Sequence, residues 1–450
     1  EKRFAPGDND KNNNDRIWSY TYQTSPNAFP VEYSDGTIAA PSTDSGYNPW
    51  NMLVHSGYRE QFWNSSQSLI GLTQDIGALW EPLEGLTGNF KFSWDAWNTT
   101  IQRRSKEPTQ YHATGRDADG NLIFGSPIRT GSGELAYAID RDGTMTTYME
   151  ASLNYDHLFA EKHRVGALFL YNHKIHTRTQ EKDKFKSLPY KNQGIAGRVT
   201  YAFNDTYFGE VNIGYNGSEN FARGHRFGFF PAGAIGWMVS NEKWFQPLTK
   251  VVDMLKLKAS IGQSGNDEIG GGRRFVYLPT IVGAYGTYWG TSHTYTGGTA
   301  VGEYANEDVS WEVSTKTNVG FELSLFNALR LQADYFYERR KGIFVQRQSL
   351  PDYVGVSTMP WSNVGKMQNQ GIDATLEFDK SFGEFFLSAR GTFTYARNKQ
   401  IDNDQPDYID KYRNRNGQKY GQQFGLIALG LFKDETEIAN SPSQFGTSYL

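Results

Sequence analysis

Cysteine is absent from the chain. That one absence removes disulfide frameworks, thiolate metal sites and cysteine nucleophiles together. It suits an exported protein that does without disulfides. An excess of charge of either sign is also lacking. The 45 Lys and Arg residues nearly balance 49 Asp and Glu, for a net charge of −4. There is no basic footprint of the kind nucleic-acid binders carry, so no nucleic-acid partner is expected. Long hydrophobic runs are lacking as well. No apolar stretch approaches the roughly 18 residues of a membrane helix, and mean hydropathy is −0.62. Helical spans are therefore excluded. A β-barrel is not, because half of its strand residues face a polar lumen.

Aromatic residues and glycine are plentiful: 27 Tyr, 29 Phe, 11 Trp and 47 Gly in 450 residues. That pairing suits a β-protein with aromatic girdles and many turns. The segment Leu329–Glu338 shows how the aromatics are used. Leu329, Leu331, Ala333, Tyr335 and Tyr337 fall on one face of a strand, while Arg330, Gln332, Asp334 and Glu338 fall on the other. Only Phe336 breaks the pattern. One face is oily and the other carries both signs of charge.

The same period recurs along the chain. Met149 to Asp156, Val165 to Tyr171, Ile195 to Phe203, Tyr207 to Tyr215, Leu255 to Ile261, Asn318 to Leu325, Ile372 to Asp379 and Phe385 to Tyr395 all alternate. With 68–80, 89–100 and 229–239 they give about twelve strands. Short and long links between them alternate strictly. Tight turns are expected at 160–162, Asn204-Asp205, Asn327-Ala328 and 381–384, with a short link at 81–88. Long loops are expected at 101–146, 175–193, 217–228, 263–312 and 341–370. The link 240–253 is intermediate, with helix-like character around Asn241 to Phe245. An up-and-down outer-membrane barrel has this asymmetry, whereas a soluble sandwich has no reason to gather its long loops at one end.

At Arg226-Phe227-Gly228-Phe229-Phe230-Pro231 the sequence becomes recognisable. It continues through Gly236-Trp237, Asn241-Glu242-Lys243-Trp244-Phe245, Leu255-Lys256-Leu257-Lys258 and Gly262-Gln263-Ser264-Gly265-Asn266. This order resembles the barrel of SusC/RagA-type TonB-dependent outer-membrane transporters. Thr24-Ser25-Pro26, Phe29-Pro30-Val31, Asn48-Pro49, Asn318-Val319-Gly320-Phe321-Glu322, Asn363-Val364-Gly365 and Gly430-Leu431-Phe432 extend the likeness over most of the chain. The resemblance implies a barrel of about 22 strands, of which 1–450 would be a central part. The plug domain, TonB box and final strands are not visible. With no signal-peptide pattern, the chain reads as a piece of a longer polypeptide.

No catalytic constellation is evident, and neither metal nor cofactor is expected. His173 and His176 are three residues apart, so a strand would point them to opposite faces. Asp117-Ala118-Asp119-Gly120-Asn121 reads as an Asp-Gly turn, since it lacks full calcium-loop spacing. Candidate ligand contacts are the loop aromatics Tyr285, Tyr288, Trp289, Tyr353 and Trp361, which could stack on sugars or seat peptide side chains. The bland alternative is that they pack loops together. Candidate lumen-lining charges are Arg198, Glu210, Arg330, Asp334 and Arg390. The expected fold is all-β: a partial, antiparallel up-and-down transmembrane barrel.

The resemblance further implies TonB-dependent import of oligosaccharides or oligopeptides across the outer membrane of a Gram-negative bacterium. The partners it implies are a SusD-like surface lipoprotein, the TonB complex and outer-membrane lipid. The alternative reading is an outer-membrane barrel enzyme, a lipase or protease closed by about twelve strands.

Overall fold

The computed structural model describes residues 2–6, 13–42, 47–270, 272–356 and 358–442. Its strands are β1 (Lys2–Pro6), β2 (Gly57–Asp75), β3 (Leu86–Ser105), β4 (Ala113–Arg116), β5 (Leu122–Phe124), β6 (Ala136–Phe159), β7 (His163–Arg178), β8 (Tyr190–Phe203) and β9 (Tyr207–Ser218). They continue as β10 (Phe227–Met238), β11 (Val252–Asn266), β12 (Ile281–Trp289), β13 (Thr294–Val301), β14 (Glu312–Leu325), β15 (Leu329–Gln346), β16 (Trp361–Phe382) and β17 (Phe385–Asp402). Thirteen form one sheet in the order β1-β2-β3-β6-β7-β8-β9-β10-β11-β14-β15-β16-β17. Every pairing is antiparallel between chain neighbours in that order. The remaining four strands make two hairpins, β4–β5 and β12–β13, within long loops.

All twelve expected strands are present, and the expected parity of links holds. One end of the sheet carries short links at 76–85, 160–162, 204–206, 326–328 and 383–384, and the intermediate link 239–251, which is longer than 219–226 at the other end. The other end carries 106–135, 179–189, 219–226, 267–311 and 347–360. Three tight turns place two successive residues in the left-handed region: Ala160-Glu161, Asn204-Asp205 and Phe326-Asn327. That geometry matches the twist of the flanking strands. The third turn therefore sits one residue earlier than expected. It is fastened by Asp253, whose Oδ2 accepts the Asn327 amide at 2.6 Å. The link 239–251 contains two short 3-10 helices, Val239–Asn241 and Lys243–Leu248.

The register aligns the apolar positions into continuous rows. Val199 faces Val211, Leu257 faces Phe321, and Leu331 faces Leu323 and Leu376. Val319, Tyr335, Ile372 and Tyr395 form another row across β14–β17. No described residue covers this face: Ile235 is 70% exposed and Phe393 60%. A soluble protein does not leave an apolar band of this extent bare, and a lipid bilayer would cover it. Aromatics border the band at the short-link end. The rings of Tyr207 and Trp237 lie 7° from parallel with centroids 6.5 Å apart. Both donate to Glu242 Oε1, at 2.6 and 3.1 Å. Rings with an apolar body and a satisfied polar tip suit a membrane interface.

Even the shortest sheet strands beyond β1 have 12 residues. At about 3.3 Å per residue they out-reach an apolar band about 25 Å tall, so their ends stand in water. The long loops therefore build their own small core. Phe221, Ile269, Val276, Val309 and Phe344 are buried together, with Trp311 and Trp361 against them.

Candidate functional site

The face opposite the apolar band is the candidate site. Charges in rows cannot face hydrocarbon without heavy cost, so this polar face is the inner wall. Its strands alternate, and the register brings charges from neighbouring strands together.

Lys258 of β11 pairs with Glu322 of β14 at 3.2 Å and with Asp334 of β15 at 3.1 Å. Glu377 of β16 forms ion pairs with Arg330 of β15 at 3.8 Å and Arg390 of β17 at 3.3 Å. Higher on β15, Glu338 takes a hydrogen bond from Ser314 Oγ at 2.6 Å and one from Arg340 Nε at 2.8 Å. Arg340 also reaches Glu312 at 3.4 Å. On the other side of the sheet, Lys91 pairs with Glu150 at 3.2 Å, and the Tyr148 hydroxyl donates to the same carboxylate at 2.6 Å. These partly exposed pairs are worth little individually. Together they fix charge positions along a wet surface.

Arg330, Asp334 and Arg390 therefore lie on the polar face within two clusters. Glu210 lies there too and accepts the Asn212 side-chain amide at 2.6 Å. Arg198, opposite Asn212 in the register, makes no ion pair with a described residue. It borders a shallow cleft with Asn212, Asn216, Gln263 and Ser264. His173 and His176 fall on opposite faces. His173 sits on the apolar side beside Met149, while His176 Nδ1 meets Thr146 Oγ1 on the polar side at 2.9 Å.

Near the long-loop end the polar face widens into a cleft of about 700 Å³. Arg59, Arg103, Asp140, Arg141, Asp142 and Arg178 are among its lining residues. Arg103 is paired with Asp140, and Arg178 reaches Glu181 at 3.4 Å. Sequence alternation did not single out this cleft, because its charges belong to four different strands and the loop beyond them. The signal available was the density of charge at the strand ends.

At the same end of the sheet the loops are stapled. Arg274 has only 1% of its side chain exposed and bonds Glu219 Oε1 at 2.6 Å. It also donates to the carbonyls of Phe185 at 2.9 Å, Pro189 at 3.0 Å and Leu188. Its guanidinium lies over the rings of Tyr190 and Phe275, at 3.8 and 4.5 Å from their centroids. One buried cation thus ties the loops 179–189, 219–226 and 267–311 together. Within the first, the amides of Phe185 and Lys186 both donate to Asp183 at 2.9 Å. Those backbone bonds, Lys186 foremost, hold the Asp183 carboxyl below its ordinary value.

The five loop aromatics separate into two groups. Trp361 is packed: it stacks on Phe344 at 5.4 Å, and Arg273 lies 4.0 Å over its ring. Its surroundings are those of loop packing. Tyr285, Tyr288 and Trp289 stand on the β12–β13 hairpin and are exposed, as is Tyr353 on its own loop. The Tyr288 and Tyr295 rings touch across the hairpin at 5.3 Å. The polar wall, the cleft and the bare aromatics can hold and pass a hydrated ligand.

A family model described as "TonB dependent receptor-like, beta-barrel" matches residues 2–448. TonB-dependent receptor P3 of Formosa agariphila is 24% identical over 342 residues, 74% of this chain and 33% of the relative. TonB-dependent receptor SusC of Bacteroides thetaiotaomicron is 26% identical over 188 residues, 40% of this chain and 18% of the relative. Among solved structures, the RagAB peptide importer in its "closed-closed" state aligns with a TM-score of 0.59 at 18% identity. That alignment covers 82% of this chain and 40% of the other. The chain spans about a third of the length of the first of these relatives.

Proposed function

The chain belongs to the TonB-dependent receptor-like β-barrel family, and from that premise we propose that residues 1–450 furnish a sector of the wall of an energised nutrient importer. The barrel lies in the outer membrane of a Gram-negative bacterium. In this reading the long loops face outward and, with a SusD-like surface lipoprotein, receive an oligosaccharide or oligopeptide. Force arrives from the TonB complex through a part of the receptor outside this chain. Further strands complete the barrel, because an open sheet edge is not tolerated in lipid.

One observation carries the reading: ion pairs line the polar face across β11–β17, and a charged cleft and exposed aromatics both stand at its long-loop end. Binding and gating need such a wall, and no bond need be made or broken. Aromatic faces seat sugar rings or apolar peptide side chains, and the charged cleft offers partners for ionic groups.

The test is uptake by cells expressing the full-length receptor, with and without a functional TonB complex, over a panel of glycans and peptides. Accumulation of at least one panel member that stops without TonB supports import. Accumulation indifferent to TonB, or conversion of the ligand by purified receptor, contradicts it.

A further inference from the structure

We infer that the outward rim of β15–β17 is a docking surface for phosphorylated lipid headgroups of the outer leaflet. The inference rests on the membrane placement of the barrel and is independent of what the barrel imports.

The register shows how the surface is built. Tyr335, Ile372 and Tyr395 form a row on the lipid-facing side. The next row toward the long-loop end is Tyr337, Gln370 and Arg397. After it comes Arg339, Gln368 and Lys399, and then Lys341 beside Lys366. Two residues along a strand advance about 7 Å. The cations therefore begin within one step of the lipid-facing aromatics, at headgroup height. A cleft of about 500 Å³ between β16, β17 and the following segment is lined by Gln368, Gln370, Arg397, Lys399 and Lys419.

Pairing separates these cations from those inside. Arg340, between Arg339 and Lys341 but on the inner face, is bound by both Glu338 and Glu312. Among these rim cations, only Lys366 pairs with a described acid, Asp402 at 3.1 Å. Arg339, Lys341, Arg397 and Lys399 are exposed or nearly so and make no ion pair with a described residue. Lys341 and Lys366 even stand directly opposite each other, an arrangement that like charges disfavour. Asp402 answers Lys366 alone, and an anion reaching Lys341 as well would relieve the rest. Arginine and lysine, with amide donors between them, match phosphate oxygens. The apolar rows below would take the acyl chains of the same molecule. A lipid satisfies both halves of this surface, whereas a free anion or an acidic protein satisfies only one.

The test uses the full-length receptor in dodecyl maltoside micelles. The probes are phosphorylated lipid A and the same lipid A with its phosphates removed, and retention is read by native mass spectrometry. Wild type is expected to retain the phosphorylated form on the order of tenfold more strongly. The Arg339→Gln/Lys341→Gln/Arg397→Gln/Lys399→Gln variant should lose that preference, while the inner-wall variant Arg198→Gln/Arg390→Gln keeps it. If the quadruple variant does not fold, Arg397→Gln/Lys399→Gln alone should cut the preference severalfold. Equal retention of the two lipids by wild type overturns the inference. So does a wild-type preference in the outer-rim variants, or its loss in the inner-wall variant.

Discussion

Lys258 and Asp334 meet at 3.1 Å although they stand two strands apart. Gly320 lies between them, opposite Lys258 on one side and Asp334 on the other. Neighbouring strands are about 4.8 Å apart, so the lysine must cross a whole strand. It can do so because the residue it crosses has no side chain. A Cβ at Gly320 would overlap both the Asp334 carboxylate and the Ala333 carbonyl.

Gly320→Ala should therefore destabilise the sheet by about 1–3 kcal/mol through overpacking. The measurement is the temperature at which the full-length receptor loses its compact, fast-migrating form on unboiled gels. Gly391→Ala is the control, since a Cβ there meets nothing within 4 Å. An unchanged temperature for Gly320→Ala would remove the steric role given to this glycine.

Arg274 offers a second prediction. Truncating it leaves Glu219 and three carbonyls without their buried cation, a change that costs about 3–5 kcal/mol when one partner is removed. Arg274→Ala should make the segment 179–189 markedly more sensitive to limited proteolysis. Arg274→Lys should restore only part of the protection, because a point charge cannot span the same acceptors. Equal cleavage of wild type and Arg274→Ala would contradict the staple.

The Asp404 carboxylate gives a pH dependence outside the membrane. Its Oδ2 accepts Arg347 Nε at 2.8 Å, the Gln348 amide at 2.8 Å and the Ser349 amide at 3.3 Å. Burial pushes its pKa up, but these donors outweigh it and hold the group below its ordinary 3.8. A depressed folded pKa stabilises above the unfolded value and is lost as pH falls through the folded one. The clamp on 347–349 should thus be complete near pH 5 and above, and should release only below about pH 4. Hydrogen exchange of the Gln348 and Ser349 amides at constant intrinsic rate checks this. Asp404→Asn should show the released behaviour at every pH.

The loop aromatics supply a contrast. Trp361→Ala empties a packed position and should cost about 3–5 kcal/mol locally. It should raise proteolysis of the loops whether or not ligand is present. Trp289→Ala, on the exposed hairpin, should leave stability within about 0.5 kcal/mol. It should weaken ligand binding by roughly fivefold, corresponding to about 1 kcal/mol of ring contact. Isothermal titration with a ligand found in uptake reads the second effect. A destabilised Trp289→Ala with unchanged binding would reverse the assignment.

The sequence made the strands legible where only one face is oily. In β15 the alternation runs clearly from Leu329 to Tyr337, but Arg339-Arg340-Lys341 places charge on both faces. The strand continues to Gln346 all the same. Above the lipid both faces meet water, so the period-two signal fades while the hydrogen bonding does not. That is why the loop expected at 341–370 shrinks to 347–360. β1 went unseen because five residues carry too little pattern, and the β12–β13 hairpin because both of its faces are exposed. The charges on the inner wall were readable one strand at a time. Their partners were not: Arg274 draws its acceptors from residues 55 to 89 positions away. Trp361 looked free because nothing local announces that Phe344 lies beneath it.

The central claim is that Leu329–Glu338 and its neighbours show one face to lipid and the other to a lumen. This segment of the receptor contains no cysteine, so single cysteines can report on it without interference from native thiols here. Bimane would be attached at Val199→Cys, Tyr335→Cys and Phe393→Cys, and at Arg198→Cys, Asp334→Cys and Thr392→Cys, in full-length receptor in vesicles containing nitroxide-labelled lipid. The account predicts strong quenching at the first three positions and little at the second three. Quenching that is uniform, or that follows the opposite alternation, would contradict it.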